Sequence, residues 1–222
     1  MLIDIYNTLL SKYGPQGWWP GAGPLDVVIG AILTQNTAWS NVEKAITSLK
    51  IANLWSLESI YCSTEEELAS VVRSSGYFNQ KARKLKAFAE HIYMRYEWDL
   101  AKFLKQELPC LRKELLSIYG IGPETADDIL VYAAEKPSFI IDVYTKRILG
   151  RLGIIDFKPG ARYEDYQKLI QDQLPQDVQL FNEFHALLDN HAKLICKKSP
   201  ICSECVLIDD CNWAQQQDLV YE

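Results

Sequence analysis

The sequence predicts an all-α fold on three observations. Apolar residues recur at three- and four-residue spacing in two long stretches, and one further stretch is apolar on every face, as the buried centre of a helical bundle must be. A single segment has strand character, and nothing elsewhere in the chain can pair with it.

The elements follow in order. Leu2, Ile5, Tyr6, Leu9, Leu10 and Tyr13 predict a first helix, which the turn-rich stretch from Gly14 to Pro24 ends. From Asp26 to Thr37 the near-continuous run Val27, Val28, Ile29, Ala31, Ile32 and Leu33 predicts the central helix. Thr64 followed by Glu67 reads as a capping box ahead of Leu68, Val71 and Val72. Asn79 is the expected cap of the next helix, which carries Ala82, Leu85, Phe88, Ala89, Ile92, Tyr93 and Tyr96. Ser138 to Val143 is the strand-like segment and is expected to be an extended link into a helix capped by Asp142. At the usual length of about 11 to 12 residues, the pattern predicts about ten helices.

The 222 residues suffice for a core without disulfides, and 48% apolar with 23% charged residues excludes disorder and low complexity. No apolar run approaches the ~18 residues of a membrane span, and no signal-peptide pattern opens the sequence, so an intracellular protein with no membrane association is expected. A net charge of -6 gives no global attraction to nucleic acid, so a nucleic-acid partner must be held by a local patch or by backbone groups.

Leu111 to Ile118 predicts a short amphipathic helix running into Tyr119-Gly120-Ile121-Gly122-Pro123-Glu124-Thr125-Ala126 and a second helix through Tyr132. Two glycines around an apolar residue permit a tight turn with positive φ, and Pro123 suits a first helical position. Such a tip exposes backbone N–H groups and a helix N-terminus, which suits a DNA phosphate. From the glycines alone an ordinary αα-hairpin is the plainer reading.

Four of the six cysteines, Cys196, Cys202, Cys205 and Cys211, form the pattern C-x5-C-x2-C-x5-C. In a reducing compartment this points to metal before disulfide. Structural zinc usually has two short knuckles, and here only Cys202 and Cys205 make one, so four thiolates suit a [4Fe–4S] cluster, with zinc as the alternative. Cys62 and Cys110 read as core thiols, and His91, His185 and His191 as packing or surface residues.

The hairpin, Asp142 eighteen residues beyond Glu124, and the segments Leu33-Thr34-Gln35-Asn36-Thr37, Gly76-Tyr77-Phe78-Asn79-Gln80-Lys81-Ala82 and Ile141-Asp142-Val143-Tyr144-Thr145-Lys146-Arg147 together resemble the endonuclease III superfamily of helix-hairpin-helix DNA glycosylases. With the cysteine cluster they run in order over nearly the whole chain. The family commonly has six residues in the first cysteine gap, where this chain has five. The resemblance implies a central helical bundle over 24–135, with its hairpin at 111–132, and a second helical domain from 1–23 plus 136–222 carrying the cluster loop 196–211. It places the active site in the cleft between them. The implied partner is double-stranded DNA with a damaged base, bound by a monomer.

The resemblance also implies roles. Asp142 would stabilise the oxocarbenium at C1′ and activate water. Gln35 would enter the gap left by the flipped nucleotide, and Tyr77 would stack against the opposite strand where the family often has Leu. Gly120, Gly122, Thr125, Lys146 and Arg147 would contact DNA, with Lys81, Arg83, Lys84, Lys197 and Lys198 as further phosphate contacts. Bifunctional members carry a Schiff-base Lys where this chain has Glu124, so their amine-dependent β-elimination is closed here. Trp18-Trp19-Pro20 and Trp39 offer π-faces for a base, and with the missing Lys they look like the 3-methyladenine glycosylase branch. The expected activity is monofunctional removal of alkylated purines, with Glu124 touching the flipped nucleotide. Two alternatives remain: a bifunctional pyrimidine-damage or mismatch glycosylase using another amine such as Lys146, and a non-catalytic DNA-binding protein.

Overall fold

A computed structural model describes residues 1–18, 23–156, 158 and 160–218. Among these residues the regular structure is entirely helical: α1 (Leu2–Tyr13), α2 (Pro24–Thr34), α3 (Trp39–Ile51), α4 (Leu57–Cys62), α5 (Glu65–Val71), α6 (Phe78–Tyr96), α7 (Leu100–Leu104), α8 (Leu108–Ser117), α9 (Pro123–Asp128), α10 (Val143–Arg151), α11 (Tyr163–Gln171), α12 (Val178–Leu194) and α13 (Asn212–Asp218). The helices are more numerous and shorter than the expected ten, because local caps and prolines divide the apolar pattern: α4, α7 and α9 have only 6, 5 and 6 residues. No described helix is long and apolar enough to cross a membrane.

The chain divides into two compact units, Gly21–Lys136 and Met1–Pro20 with Pro137–Glu222. In the first, α2 is the most buried element, with Val27 through Leu33 all inside. Its helix ends at Thr34, three residues earlier than the apolar run suggests, because Gln35 leaves helical geometry and Asn36 turns left-handed at φ 54°. The Thr64 and Glu67 capping box forms with both reciprocal bonds. Asn79 is no cap: α6 starts at Phe78 directly after Tyr77, whose left-handed φ of 44° redirects the chain, so Asn79 lies inside the first turn. Cys62 and Cys110 are exposed rather than in the core, each lying on the outer face of its short helix.

The second unit packs α1, α10, α11 and α12 around Leu2, Ile5, Leu9, Phe139, Ile148, Phe181, Phe184 and Leu188. Residues 137–142 run extended into α10 without pairing in a sheet, as the sequence suggests. Phe139, Ile140 and Ile141 are buried there, and buried backbone must find partners. Side chains of α11 and its start supply them: Gln171 accepts from Phe139 N–H at 2.7 Å, Tyr163 OH accepts from Ile141 N–H at 3.0 Å, and Gln167 donates to Phe139 O at 2.7 Å.

Candidate functional site

The first unit presents the hairpin. Helix α8 ends at Ser117, Ile121 N–H closes a turn on Ile118 O at 3.1 Å, and α9 begins with Pro123 at its first position. Only Gly120 takes positive φ, at 83°. Gly122 is extended at φ -91° and acts as the N-cap, so the positive φ that the two glycines permit is used at Gly120 alone. The second arm is α9 followed by one π-helical stretch, Ile129–Ala133.

Gln35, just beyond α2, joins the hairpin through its side chain. Its Nε2 donates to Gly120 O at 3.1 Å and to Thr125 Oγ1 at 2.9 Å, while its Oε1 accepts from Lys84 Nζ. Because an ammonium can only donate, Lys84 fixes which end of the amide faces the hairpin. The Lys84 stem lies against Gly120, where a Cβ would stand 2.2 Å from Lys84 Cγ. Burial holds the Lys84 ammonium below the ordinary lysine range.

One turn earlier, Lys81 is 1% exposed, and its Nζ donates to Leu33 O at 2.8 Å and Ser75 O at 2.5 Å. Lys81 therefore ties the end of α2, which carries Gln35, to the turn before Gly76 and Tyr77, and it does not reach a phosphate as expected. Tyr77 itself is 66% exposed. Arg83 pairs with Glu65 at 2.9 Å on the surface. Trp39 opens α3 and donates from its indole N–H to Glu43. Glu124 is exposed in the first turn of α9.

Burial first, and then the charge of Lys84, push the Lys81 ammonium down to about 8 from 10.5. Between those values the unfolded chain holds a proton that the native protein has lost, so this group favours folding more as pH rises. Wild-type stability measured against Lys81→Met should accordingly gain about 2 to 3 kcal/mol from pH 7.5 to 10 in urea unfolding, and an unchanged difference would contradict a buried, charged Lys81.

In the second unit Asp142 caps α10: its Oδ1 accepts the Thr145 N–H at 2.7 Å, as the sequence predicts. Its Oδ2 faces His185 Nε2 at 3.9 Å. His185 is buried on α12, and Asp189 and Lys193 follow it on the same face at successive turns, joined to each other at 2.6 Å. Trp18 lies parallel to the His185 ring, with centroids 6.1 Å apart and 11° between planes. Lys193 Nζ stands 5.3 Å from the Trp18 centroid and 5.9 Å from that of Tyr144. Burial pushes His185 below the usual histidine range against the pull of Asp142 and Asp189, and Lys193 adds to the lowering, so the imidazole is neutral near pH 7. Burial raises Asp189, which the Lys193 contact opposes. Trp19 and Pro20 lie outside the described residues.

Lys146 is exposed on α10. The Arg147 guanidinium is committed to Cys196 O at 2.7 Å and Ala192 O at 3.1 Å, fastening α10 to the end of α12. Arg151 donates to Cys196 Sγ at 3.3 Å, Lys197 O at 2.6 Å and Lys198 O at 2.8 Å, leaving both lysine side chains exposed. None of the four cysteines of this loop is in a disulfide; Cys196, Cys205 and Cys211 pack on or within the core of the unit, and Cys202 is half-buried. Burial raises the Cys205 thiol, and the other three cysteines raise it further. His191, held near 4 by burial, accepts or donates through Nδ1 to Tyr13 OH at 2.8 Å and meets Cys205 Sγ at 3.5 Å. Among the described residues no three His, Cys, Asp or Glu are arranged to hold a metal ion.

A Gly/Pro hairpin between two helices, followed by a carboxylate capping the helix beyond an extended link, defines the class of helix-hairpin-helix DNA repair enzymes. The match is direct: the model of the HhH-GPD superfamily of base excision DNA repair proteins covers residues 29–176, and the chain belongs to that superfamily. It is a DNA glycosylase. MJ1434 of Methanocaldococcus jannaschii, named as a candidate DNA repair glycosylase, is 43% identical over 95% of this chain and 96% of its own. The Helicobacter pylori 3-methyladenine DNA glycosylase bound to 1,N6-ethenoadenine is 28% identical, with a TM-score of 0.74 over 86% of this chain and 97% of that one. A non-covalent endonuclease III–DNA complex shares the fold at a TM-score of 0.83 over 99% of both chains, with 20% identity. The resemblance read from the motifs therefore holds.

Sequence reasoning missed the ladder His185, Asp189, Lys193 and the Lys84 contact. The four-residue spacing of the first set was a readable signal; nothing local announced the second, whose partners lie 49 and 36 positions away.

Proposed function

We propose that this glycosylase is monofunctional and hydrolyses the N-glycosidic bond of flipped alkylated purines, such as 3-methyladenine, in double-stranded DNA. The observation that carries the reading is a carboxylate, Asp142, fixed by a cap bond beside a neutral imidazole and an indole face, in a chain whose hairpin bears Glu124 in place of an amine.

The chemistry follows. Flipping costs a few kcal/mol, which hairpin amides on phosphate, Gln35 in the gap and Tyr77 on the opposite strand offset. A purine alkylated at N3 or N7, such as 3-methyladenine, is already cationic in the nucleotide, so the C1′–N bond breaks with its electron pair moving to the base, which leaves neutral without an acid. Asp142 stabilises the oxocarbenium and takes a proton as water adds to C1′. Trp18 favours the cationic base by a further ~0.5 to 2 kcal/mol of cation–π attraction.

Two measurements test this together. Mass spectrometry of bases freed from alkylated genomic DNA should find methylated purines; release of oxidised or mismatched pyrimidines alone would overturn the substrate class. Borohydride should trap no protein–DNA adduct, because an imine needs an uncharged amine at C1′. A robust adduct, lost in Lys146→Ala, would move the protein to the bifunctional class.

Cys196, Cys202, Cys205 and Cys211 are assigned to a [4Fe–4S] cluster. The support is the chemistry of the donor set: four cysteines, none in a disulfide, lie in one loop, and the Arg151 guanidinium beside Cys196 Sγ would offset thiolate charge. When bound, such a cluster fixes the loop that presents Lys197 and Lys198. Anaerobically purified protein should be brown with about four irons per chain; a colourless protein with one zinc would reverse the assignment.

A further inference from the structure

We propose that His185 is a positioning residue for Asp142: its Nε2, facing Oδ2 while the Thr145 amide holds Oδ1, keeps the carboxylate in one rotamer. This rests on the reading of Asp142 as the group that meets the oxocarbenium. The two carboxylate oxygens are unequal here. Oδ1 is spent on the cap at 2.7 Å, so Oδ2 is the oxygen with freedom to face a sugar or a water. A carboxylate held at one oxygen still swings about its own bond, and His185 stands where it limits that swing, 3.9 Å from Oδ2. That separation is longer than a hydrogen bond, as contacts at catalytic groups often are before substrate arrives, and a small rotation closes it.

Three groups place the imidazole. Trp18 covers one face in a parallel arrangement, Asp189 sits one turn along α12, and Lys193 a turn beyond holds Asp189 at 2.6 Å while lying over Trp18 and Tyr144. The charged groups that act on His185 are Asp142 from the start of α10 and Asp189 and Lys193 from its own helix. Opposite a carboxylate oxygen, which accepts, the facing nitrogen of a neutral imidazole carries the proton, and that is the Nε2–H tautomer. A neutral donor also leaves the negative charge of Asp142 intact for a cationic transition state, where an imidazolium would cancel it.

The test uses the whole protein and DNA duplexes containing 3-methyladenine. Nitrogen-15 NMR of the wild-type imidazole should show a neutral Nε2–H tautomer between pH 6 and 8; an Nδ1–H tautomer or an imidazolium there overturns the proposal. His185→Phe keeps a ring against Trp18 and removes the donor. It should slow single-turnover excision about tenfold or more while lesion-duplex Kd stays within about threefold, and should move the acid limb of the pH–rate profile to higher pH. His185→Asn, which keeps an N–H donor, should recover part of the rate. A merely structural role predicts slowing at every pH with an unmoved acid limb, and that result, or a wild-type rate in His185→Phe, overturns the proposal. If His185→Phe does not fold, the wild-type tautomer still decides. The underlying reading fails separately: Asp142→Asn at full activity removes Asp142 and His185 together, whereas an inactive Asp142→Asn beside an unaltered His185→Phe removes His185 alone.

Discussion

Asp142→Asn is expected to lower single-turnover excision by at least about a thousandfold, equivalent to ~4 kcal/mol of transition-state stabilisation, while lesion-DNA affinity stays within about tenfold. The split follows from the two duties of this side chain. As the cap of α10 it needs only an acceptor for the Thr145 N–H, and an amide oxygen at the same place still accepts that bond. In its proposed role as the partner of a positive sugar it needs charge, which the amide lacks. Helix, fold and DNA-facing surface should therefore survive, and a thermal unfolding curve like that of wild type is the control. Full excision by this variant would take Asp142 out of the mechanism, and a loss of binding equal to the loss of rate would make it a structural cap only.

Glu114→Ala should destabilise the protein by about 3 to 5 kcal/mol, the range for removing one partner of a buried charged network. Glu114 lies on α8, the helix that leads into the hairpin, and is 12% exposed. Its Oε1 accepts from Arg95 Nε at 2.7 Å and His91 Nε2 at 2.8 Å, and its Oε2 from Tyr96 OH at 2.7 Å and Gln106 Nε2 at 2.8 Å. Burial alone would raise this carboxyl, but the bonds from Tyr96, Gln106 and His91 and the charge of Arg95 hold it below the usual carboxylate range. A depressed carboxylate contributes stability above its unfolded value and loses it as pH falls through the folded value. The gap between wild type and Glu114→Ala should thus narrow below about pH 4 in denaturant unfolding. A difference under about 1 kcal/mol at pH 7 would mean that the four donors find water equally well.

What was legible in the sequence was local or periodic. The Thr64 and Glu67 box and the Asp142 cap each depend on residues three positions apart, and the burial of α2 depends on its own apolar run. The extended link was readable because six residues of strand pattern, Ser138 to Val143, without a partner leave few choices; the helix begins at the last of them. What escaped depends on contacts distant in sequence. Lys81 reads as a surface charge, yet its partners are carbonyls, one of them 48 positions away. Arg147 reads as a phosphate ligand next to Asp142, yet two of its nitrogens donate to carbonyls at the end of α12, a contact the sequence does not announce. Gly122 and Gly120 look alike in the motif, and only the closing of the turn on Ile118 separates their backbone angles. His185 looked like packing because a histidine on an apolar helix usually is packing. Its meaning appears only when the start of α10 is laid beside α12.

The contact between the Lys84 stem and Gly120 ties the mutational histories of two distant positions. A methyl group at 120 is penalised twice, by a φ of 83° and by collision with a side chain from α6. Shortening residue 84 removes only the second penalty, and does so by releasing the Gln35 amide from its fixed orientation. Neither position can drift alone without loss, and drifting together they trade a steric cost for a looser Gln35 amide. Such sign-dependent coupling is epistasis with a mechanical origin: a chain that has given up the long amine at 84 has more freedom to vary its hairpin, and a less rigid instrument for probing the double helix.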